Sequence, residues 1–495
     1  MTELLWETAV LIDALQARPM GDLPEGVTGI SIDTRSLESG EAFFAIRGER
    51  FDGHDFLSTA QRAGAGIAVV AEQKLPALGR VQIPMLVVDD VLKALSRLAE
   101  AARARSKAKI VAVTGSVGKT TTKEALRHGL AAVGSVHASA ASFNNHWGVP
   151  LSLARLPAET SYAVFEIGMN HPGEIRPLVK LVRPDVAIVT LIAPAHLGHF
   201  RDLDEIAEAK AEIFEGVVPG GTAILNADDP KCGLLADYAR KTGVANIVTF
   251  GEGAGADFRL IAYEATREGA KVDAEIAGEP LRFSLATPGR HMAQNVLAVL
   301  GACHRIGADV EKVASALAGW RAVKGRGARH SLSLPGGGKV TLVDDSYNAN
   351  PASMRAALEV LSRAEPGKGA RRIAVLGDML ELGTSSGELH AALKEHVLAA
   401  KTDLVFLAGE EMKALDAALA GSLVCRWHES SDQLLADLES TMGDGDVVLV
   451  KASKSIGFSR LVETLLSRHE DETGADRPSA ERGPAMAEKT SGEAK

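Results

Sequence analysis

The stretch "VAVTGSVGKTTTKEAL", residues 111–126, puts a lysine and three threonines directly behind the second of two glycines. An apolar run feeds it and a helical pattern leaves it, which is the setting a phosphate-wrapping loop needs. Gly115 and Gly118 let the backbone come close to phosphate oxygens. The first turn of the next helix offers unpaired N–H groups and the positive end of its dipole. Lys119 can neutralise β- and γ-phosphate charge, and the Thr120 hydroxyl can reach Mg²⁺. The usual pattern, G-x-x-x-x-G-K-[ST], asks for a small residue where this chain has Val113. The stretch is therefore either a shortened phosphate loop or an ordinary strand-to-helix turn.

Four further stretches carry groups able to do chemistry. "YAVFEIGMN" ends an apolar strand on Glu166, and a carboxylate at that edge beside the loop can ligate Mg²⁺ or simply face solvent. "APAHLGHF" sets His196 and His199 three apart behind another strand, as metal ligand and acid/base or as loop hydrogen-bonders. "RHMAQNVLAVL" places His291 and Asn295 on one helical face. There Asn295 can read an adenine edge through paired hydrogen bonds, or the pair can serve the helix start. "VDDSYNANPASM" ends a strand with Asp344, Asp345, Ser346 and Asn348; Asp345 can bind a ribose hydroxyl or order a loop, and "NANP" is turn chemistry in any case. Lys210, in "EIAEAKAEIFEG", reads by itself as a surface lysine among glutamates.

These groups need strands to hold them. "KIVAVTG", "YAVFEIG", "DVAIVT" and "GTAILN" are short apolar runs with helical patterns between most of them, which predicts a largely parallel sheet. After about residue 325, "KVTLVDDS", "RIAVLGD", "DLVFLAG" and "DVVLVKAS" form a second doubly wound pattern. Before both, "GVTGISIDTRSL", "GEAFFAI", "AGIAVVAE" and "MLVVDD" suggest a small α/β module, closed by a helix over "VLKALSRLAEAARARSKAK". The expected architecture is α/β in three domains. These are a small α/β module at 1–105, a central P-loop ATPase-like domain at 106–324 and a Rossmann-like domain at 325–468. Gly325 and Gly327, between the last two, are expected to act as a hinge. Residues 469–495 hold no Ile, Leu, Val or aromatic side chain and are expected to stay disordered.

The length of 495 residues fits about three domains of roughly 150 residues. A net charge of −10 argues against a broad nucleic-acid contact, and no apolar run is long enough to span a membrane. Three scattered cysteines fit a reducing compartment and give no metal-site spacing, and the first residues do not read as a signal peptide. A cytoplasmic protein is expected.

Taken in order, "TGSVGKTTTK", "FNNHWGVP", "FEIGMN", "AHLGHF…AKAEIF", "LNADDP", "GRHMAQN" and "DDSYNANP" resemble the Mur ligase family, the ATP-dependent amide-forming enzymes of peptidoglycan synthesis. The likeness covers about residues 25 to 465 and makes the loop that family's shortened phosphate loop. "DSYNANP" and "LGDMLELG" are similar to the members that add D-alanyl-D-alanine, and "SIDTRSLESGEAFFAIRGERFDGHDF" to their UDP-sugar module. The resemblance implies ATP, Mg²⁺, UDP-N-acetylmuramoyl-tripeptide and D-alanyl-D-alanine as ligands of a monomer. It implies that Thr114, Gly115, Ser116, Val117, Gly118, Lys119, Thr120 and Thr121 hold nucleotide phosphates. It also implies that Asn295 lies near adenine, Asp345 near ribose and Arg326 at the γ-phosphate. Thr120, Glu166, His196 and a CO₂-carbamylated Lys210 would hold metal, with Lys119, Lys210 and His196 catalytic. Ser31, Asp33, Thr34, Arg35, Asp52, Gly53, His54, Asn144 and Asn145 would hold the muramoyl substrate. "VKASKSIGFSRL" departs from the family's Lys-Gly-Ser-Arg form, so Ser453 and Lys454 receive no role. Competing readings are a ligase adding diaminopimelate or lysine to the dipeptide precursor, and a nucleotide-regulated binding protein.

Overall fold

The computed structural model describes residues 3–79, 81–140, 143–194, 197–266 and 269–469. His196 and the chain beyond residue 469 lie outside the described residues, whereas His469 still belongs to the closing helix Phe458–His469.

Three main sheets follow one another along the chain. In the first, Ile30–Ser31, Ala42–Phe44, Ile67–Ala71 and Met85–Val88 run parallel, with Arg18–Met20 antiparallel at the edge. The second has nine strands, the third six. Strands such as Ile67–Ala71, Val186–Val189 and Leu404–Ala408 are buried at every position, so their side chains alternate between two covered faces. In the central sheet Val111, Val113 and Val164 pack toward the helix Arg290–Arg305, while Ala112, Phe165 and Ala187 pack toward the other face. A parallel ladder of this kind leaves all its C-terminal strand ends on one edge.

Strand order decides what meets at that edge. Lys109–Thr114 lies between Val186–Val189 and Tyr162–Glu166, with Glu166 in register with Val113. In the last sheet the final strand, Val447–Lys451, is inserted between Lys339–Asp344 and Arg372–Gly377. The expected parallel sheets are present, with one addition. Phe258–Thr266, Gly269–Ile276 and Glu279–Leu285 extend the central sheet as an antiparallel meander, and Ala328–Ser333 pairs antiparallel with Lys339–Asp344.

The first sheet is tied firmly to the second. The helix Val91–Arg105, capped by the Asp90 carboxylate accepting from Leu92 and Lys93 N–H, runs directly into the strand Lys109–Thr114. The Arg105 guanidinium lies 3.3 Å from the Trp6 ring centroid and donates to the Leu5 and Leu156 carbonyls. Trp6 donates its indole N–H to Ala154 O at 2.8 Å, and Arg155 donates to Ile30 O at 2.7 Å. The third sheet is attached through Gly325 and Gly327, whose φ angles of +75° and +92° favour glycine. A second contact joins the turn at Gly198, whose N–H donates to Glu381 O at 3.0 Å.

Trp6→Ala removes a ring that is 1% exposed, leaves the Ala154 carbonyl without its indole donor and takes away the ring against which the Arg105 guanidinium packs. The variant is expected to lose about 3–5 kcal/mol in the first unfolding transition, read by chemical denaturation. An unchanged transition would show that the indole does not join the two sheets.

Candidate active site

The phosphate loop takes its shape from its neighbours. A Cβ at Gly115 would overlap the Thr190 hydroxyl, and φ there is +147°. That hydroxyl donates to Val117 O at 2.5 Å and lies 3.2 Å from Thr114 O. Ser116 N–H donates to Leu191 O, and its hydroxyl accepts from Ala193 N–H. Gly118, at φ +89°, precedes the helix Lys119–Leu130, and a Cβ on it would sit 3.0 Å from the Asn295 amide nitrogen. Glycine at both positions is therefore a requirement of packing as well as of backbone conformation.

Lys119 Nζ turns back onto Gly115 O at 2.7 Å, the carbonyl end of the same loop. Desolvation lowers its pKa, with Glu166 opposing and Arg326 reinforcing that shift. Glu166, 1% exposed, accepts from the Thr120 hydroxyl on one oxygen and from the Asn144 amide on the other, both at 2.8 Å. A hydroxyl and a carboxylate are the hard oxygen donors that suit Mg²⁺, so this donor set fits that ion.

Lys210 lies near the end of the helix Leu203–Ala211 and is 2% exposed, contrary to the surface position its local sequence suggests. Desolvation and then the Lys119 charge hold its pKa well below the usual lysine range. No carboxylate offsets them among the described residues. His199 is exposed, with its ring centroid 4.6 Å from that of His171 and the two planes tilted by 57°.

Across the cleft stand residues of the third sheet. Arg326 lies 4.1 Å above the Tyr347 ring, and Lys454 Nζ lies 5.6 Å from the same ring. Asp344 and Asp345, adjacent in sequence, do different work. Asp344 is fully buried and accepts from Gly325 N–H, Ser346 N–H and the Ser346 hydroxyl, so it pins the hinge. Asp345 lines the cleft and is ion-paired to Lys451 at 2.7 Å. The cavity between the two sheets measures about 490 Å³, within the size range of small-molecule sites. Its phosphate-loop end is polar, and Pro288, Met292, Ala357 and Val360 line a more apolar part. His291 lies in its wall, with burial lowering its pKa to about 4.

The structure thus brings Lys119, Thr120, Thr121, Glu166, Asn144, Asn295, Arg326 and Asp345 to one cavity. It places the N-terminal group elsewhere. Asp33 is paired with Arg35, Ser31 bonds to Asp33, and Thr34 lies in the same turn at a sheet's C-terminal edge. His54 spends both ring nitrogens inside its own module, one on Asp52 at 2.6 Å and one accepting from Ala71 N–H at 3.0 Å. Lys74 and His54 hold the Asp52 carboxyl below the usual carboxylate range against the opposing effect of burial. Gly53 packs against the Ala45 backbone too closely for any Cβ. The "DGH" stretch is therefore a fastening within that module. Asn145 Oδ1 accepts from Gly148 N–H at 3.0 Å, just before the helix Gly148–Ala154. Residues that sequence reasoning missed are Thr190, which shapes the loop, Tyr347 beneath Arg326, and Lys451.

A phosphate loop at a strand-order switch, facing a second doubly wound sheet across a glycine hinge, defines a nucleotide-dependent enzyme that works between domains. Residues 26–103 match the family described as "Mur ligase family, catalytic domain", 113–303 "Mur ligase middle domain" and 332–454 "Mur ligase, glutamate ligase domain". The UDP-N-acetylmuramoyl-tripeptide--D-alanyl-D-alanine ligase of Escherichia coli is 36% identical over 439 residues, covering 88% of this chain and 93% of the relative. A crystal structure of MurF from Acinetobacter baumannii superposes with a TM-score of 0.79 at 31% identity, covering 93% and 99% of the two chains. MurF ligase from Thermotoga maritima in complex with ADP gives 0.72 at 28%, covering 89% and 98%. The chain belongs to the Mur ligase family. It is an ATP-dependent ligase that forms a peptide bond.

Gly115→Ala forces a methyl group onto Thr190 and is expected to lower kcat/KM for ATP on the order of tenfold to a hundredfold. Steady-state kinetics on protein of unchanged circular dichroism measures this. Wild-type kinetics in that variant would mean the loop does not hold nucleotide.

Proposed function

We propose that this chain joins D-alanyl-D-alanine to UDP-N-acetylmuramoyl-tripeptide, with ATP consumed through an acyl phosphate. The observation that carries the reading is the cavity itself. It sets Lys119, Thr120 and Glu166 of one domain opposite Arg326 and Asp345 of the next. The D-alanyl-D-alanine ligases among its relatives support the same choice of substrates. They also favour it over addition of diaminopimelate or lysine and over a non-catalytic nucleotide switch.

The chemistry follows from what each group can do. A carboxylate is a poor electrophile, so its oxygen first attacks the γ-phosphorus of ATP and the bond to the β-γ bridging oxygen breaks. ADP leaves, and the carboxyl now carries phosphate as a leaving group. The free amine of D-alanyl-D-alanine then attacks that carbonyl carbon, and collapse of the tetrahedral oxyanion expels phosphate. Such transfer asks for positioning and charge neutralisation more than for a covalent protein intermediate. Lys119 and Arg326 supply fixed positive charge, and the loop N–H groups supply hydrogen-bond donors. Asn295 packs beside the loop at the start of the base-binding side, and Asp345 serves the ribose.

Thr120 and Glu166 would hold Mg²⁺, which supplies charge neutralisation on the phosphoryl oxygens when bound. Lys210 serves the same centre as its carbamate. Its neutral amine adds to CO₂, the new N–C bond forms and one proton is lost, leaving an anion with two oxygens. Desolvation favours that neutral amine, and the nearby Lys119 charge favours the anionic product. His196, outside the described residues, joins this set by resemblance. The N-terminal module, with Thr34 and Arg35 at its sheet edge, takes the uridine nucleotide. No described helix is long and apolar enough to cross a membrane. We take the protein to act in the cytoplasm as a monomer, without nucleic acid.

Radiolabelled D-alanyl-D-alanine is expected to enter the UDP-linked product with one ADP formed per bond. Turnover with a single amino acid but none with the dipeptide would reject the assignment. Lys210→Ala is expected to lower kcat on the order of a hundredfold or more, with partial recovery in formate or acetate. A carbamate signal from ¹³CO₂-treated wild-type protein, absent in the variant, checks the modification apart from activity.

A further inference from the structure

Lys451 ends the strand Val447–Lys451, which the sheet inserts beside Lys339–Asp344. Because Asp344 is in register with Val450, the next residues along the two strands are neighbours, and Asp345 N–H donates to Val450 O at 3.0 Å. Lys451, 2% exposed, donates to Asp345 Oδ2 at 2.7 Å and to Asn348 O at 2.9 Å. One ammonium thus fastens the cleft carboxylate and the turn that carries Tyr347. Asp345 Oδ1 has no hydrogen-bond partner among the described residues, and the side chain remains 23% exposed at the cavity. The carboxylate is held by one oxygen and open through the other.

We propose that Lys451 is a positioning residue for the nucleotide, acting through Asp345 and the Asn348 turn. This rests on the reading that Asp345 accepts from the ribose of ATP. A lysine that served the fold alone would be a poor choice, because well-packed apolar residues commonly equal or outdo a buried ion pair in stability. An acceptor with one oxygen fixed by a charged donor is pre-aimed at a ligand hydroxyl, which lowers the ordering cost on binding. The charged groups facing Asp345 are Lys451, Arg326 and Asp344, and His291 on the helix Arg290–Arg305 lies within the electrostatic reach of Lys451. Burial pushes the Asp345 carboxyl up, while Lys451 and then Arg326 pull it down and Asp344 adds to the rise. Removing Lys451 takes away the strongest opposing pull, so protonation then reaches higher pH and weakens the acceptor on the acid side.

The test compares KM for ATP and kcat in wild type, Lys451→Met, Lys451→Arg, Asp345→Asn and the Asp345→Asn/Lys451→Met pair, from about pH 6 to about pH 9. Asp345→Asn is expected to raise KM for ATP at every pH. Lys451→Met is expected to raise it about tenfold near neutrality, with a smaller change in kcat and recovery as pH rises. Lys451→Arg keeps the charge and restores most of the affinity, and in the Asp345→Asn background Lys451→Met adds less than about twofold. If Asp345→Asn raises KM while folded Lys451→Met matches wild type at all pH, the positioning role is overturned and the ribose reading stands. If Asp345→Asn leaves KM unchanged, the ribose reading falls and takes this proposal with it. Should Lys451→Met not fold, Lys451→Gln carries the same expectations and the same overturning result.

Discussion

The buried carboxylate of Glu166 is the interaction on which the site depends. It ends a central strand and accepts from Thr120 behind the phosphate loop and from Asn144 on the loop before the helix Gly148–Ala154. An unpartnered carboxylate in that place would carry a large desolvation cost. The loop and the Asn144 segment are therefore drawn to it, and their spacing from each other is set. The helix that follows Asn144 contributes Leu151 and Ala154 to the core of the N-terminal sheet. The N-terminal module is thus mounted on the same segment that holds the Glu166 carboxylate.

The second constraint is excess positive charge. Lys119 and Arg326 line one end of the cleft, and the buried Lys210 lies within electrostatic reach of Lys119. Lys119 weakens the protonated form of Lys210, and Arg326 weakens that of Lys119. Water is poorly placed to screen these groups, so mutual repulsion persists until anions arrive. A triphosphate is the kind of anion that satisfies it. The arrangement spends folding stability on pre-aimed charge, which is how electrostatic stabilisation of phosphoryl transfer is built in advance.

Much of this was legible in the residues. The two glycines, Lys119 and Thr120 between a strand and a helix identified the phosphate loop, because its chemistry is local. Fully apolar strands such as "GTAILN" and "DLVFLAG" identified parallel sheets for the same reason. What local sequence hid was pairing between distant strands. Lys451 meets Asp345 only because the last strand enters the middle of its sheet, and nothing within "DVVLVKAS" announces that position. Lys210 looked like a surface lysine because its neighbours are charged, yet the helix turns that side chain inward. The sequence singles out Asp345 and not Asp344, and alternation along the strand sends Asp344 to the Gly325 linker and Asp345 to the cleft. His54 showed the converse, since a histidine in a polar turn proved to be consumed by Asp52 and Ala71 within its own module.

The hinge and the cleft share residues, which bears on how the third domain is oriented. Asp344 accepts from Gly325 N–H, Tyr347 N–H donates to Gly325 O, and the Tyr347 ring supports Arg326. Gly327 N–H also donates to Asp344 O at 2.7 Å, so the Arg326 backbone is fixed on both sides to the strand end that carries the Asp345–Lys451 pair. Ser453 extends this body, since its hydroxyl accepts from Leu380 N–H and its N–H donates to Asp378 O. The same loop reaches the central domain through Glu381 O and Gly198 N–H. Arg363, 5.6 Å from the centroid of the Tyr263 ring on the central sheet, adds a further contact between the two domains. Arg326, Asp345 and Lys451 are held as one unit, so a ligand that touches both Arg326 and Asp345 meets them already arranged, which lowers the ordering cost of binding.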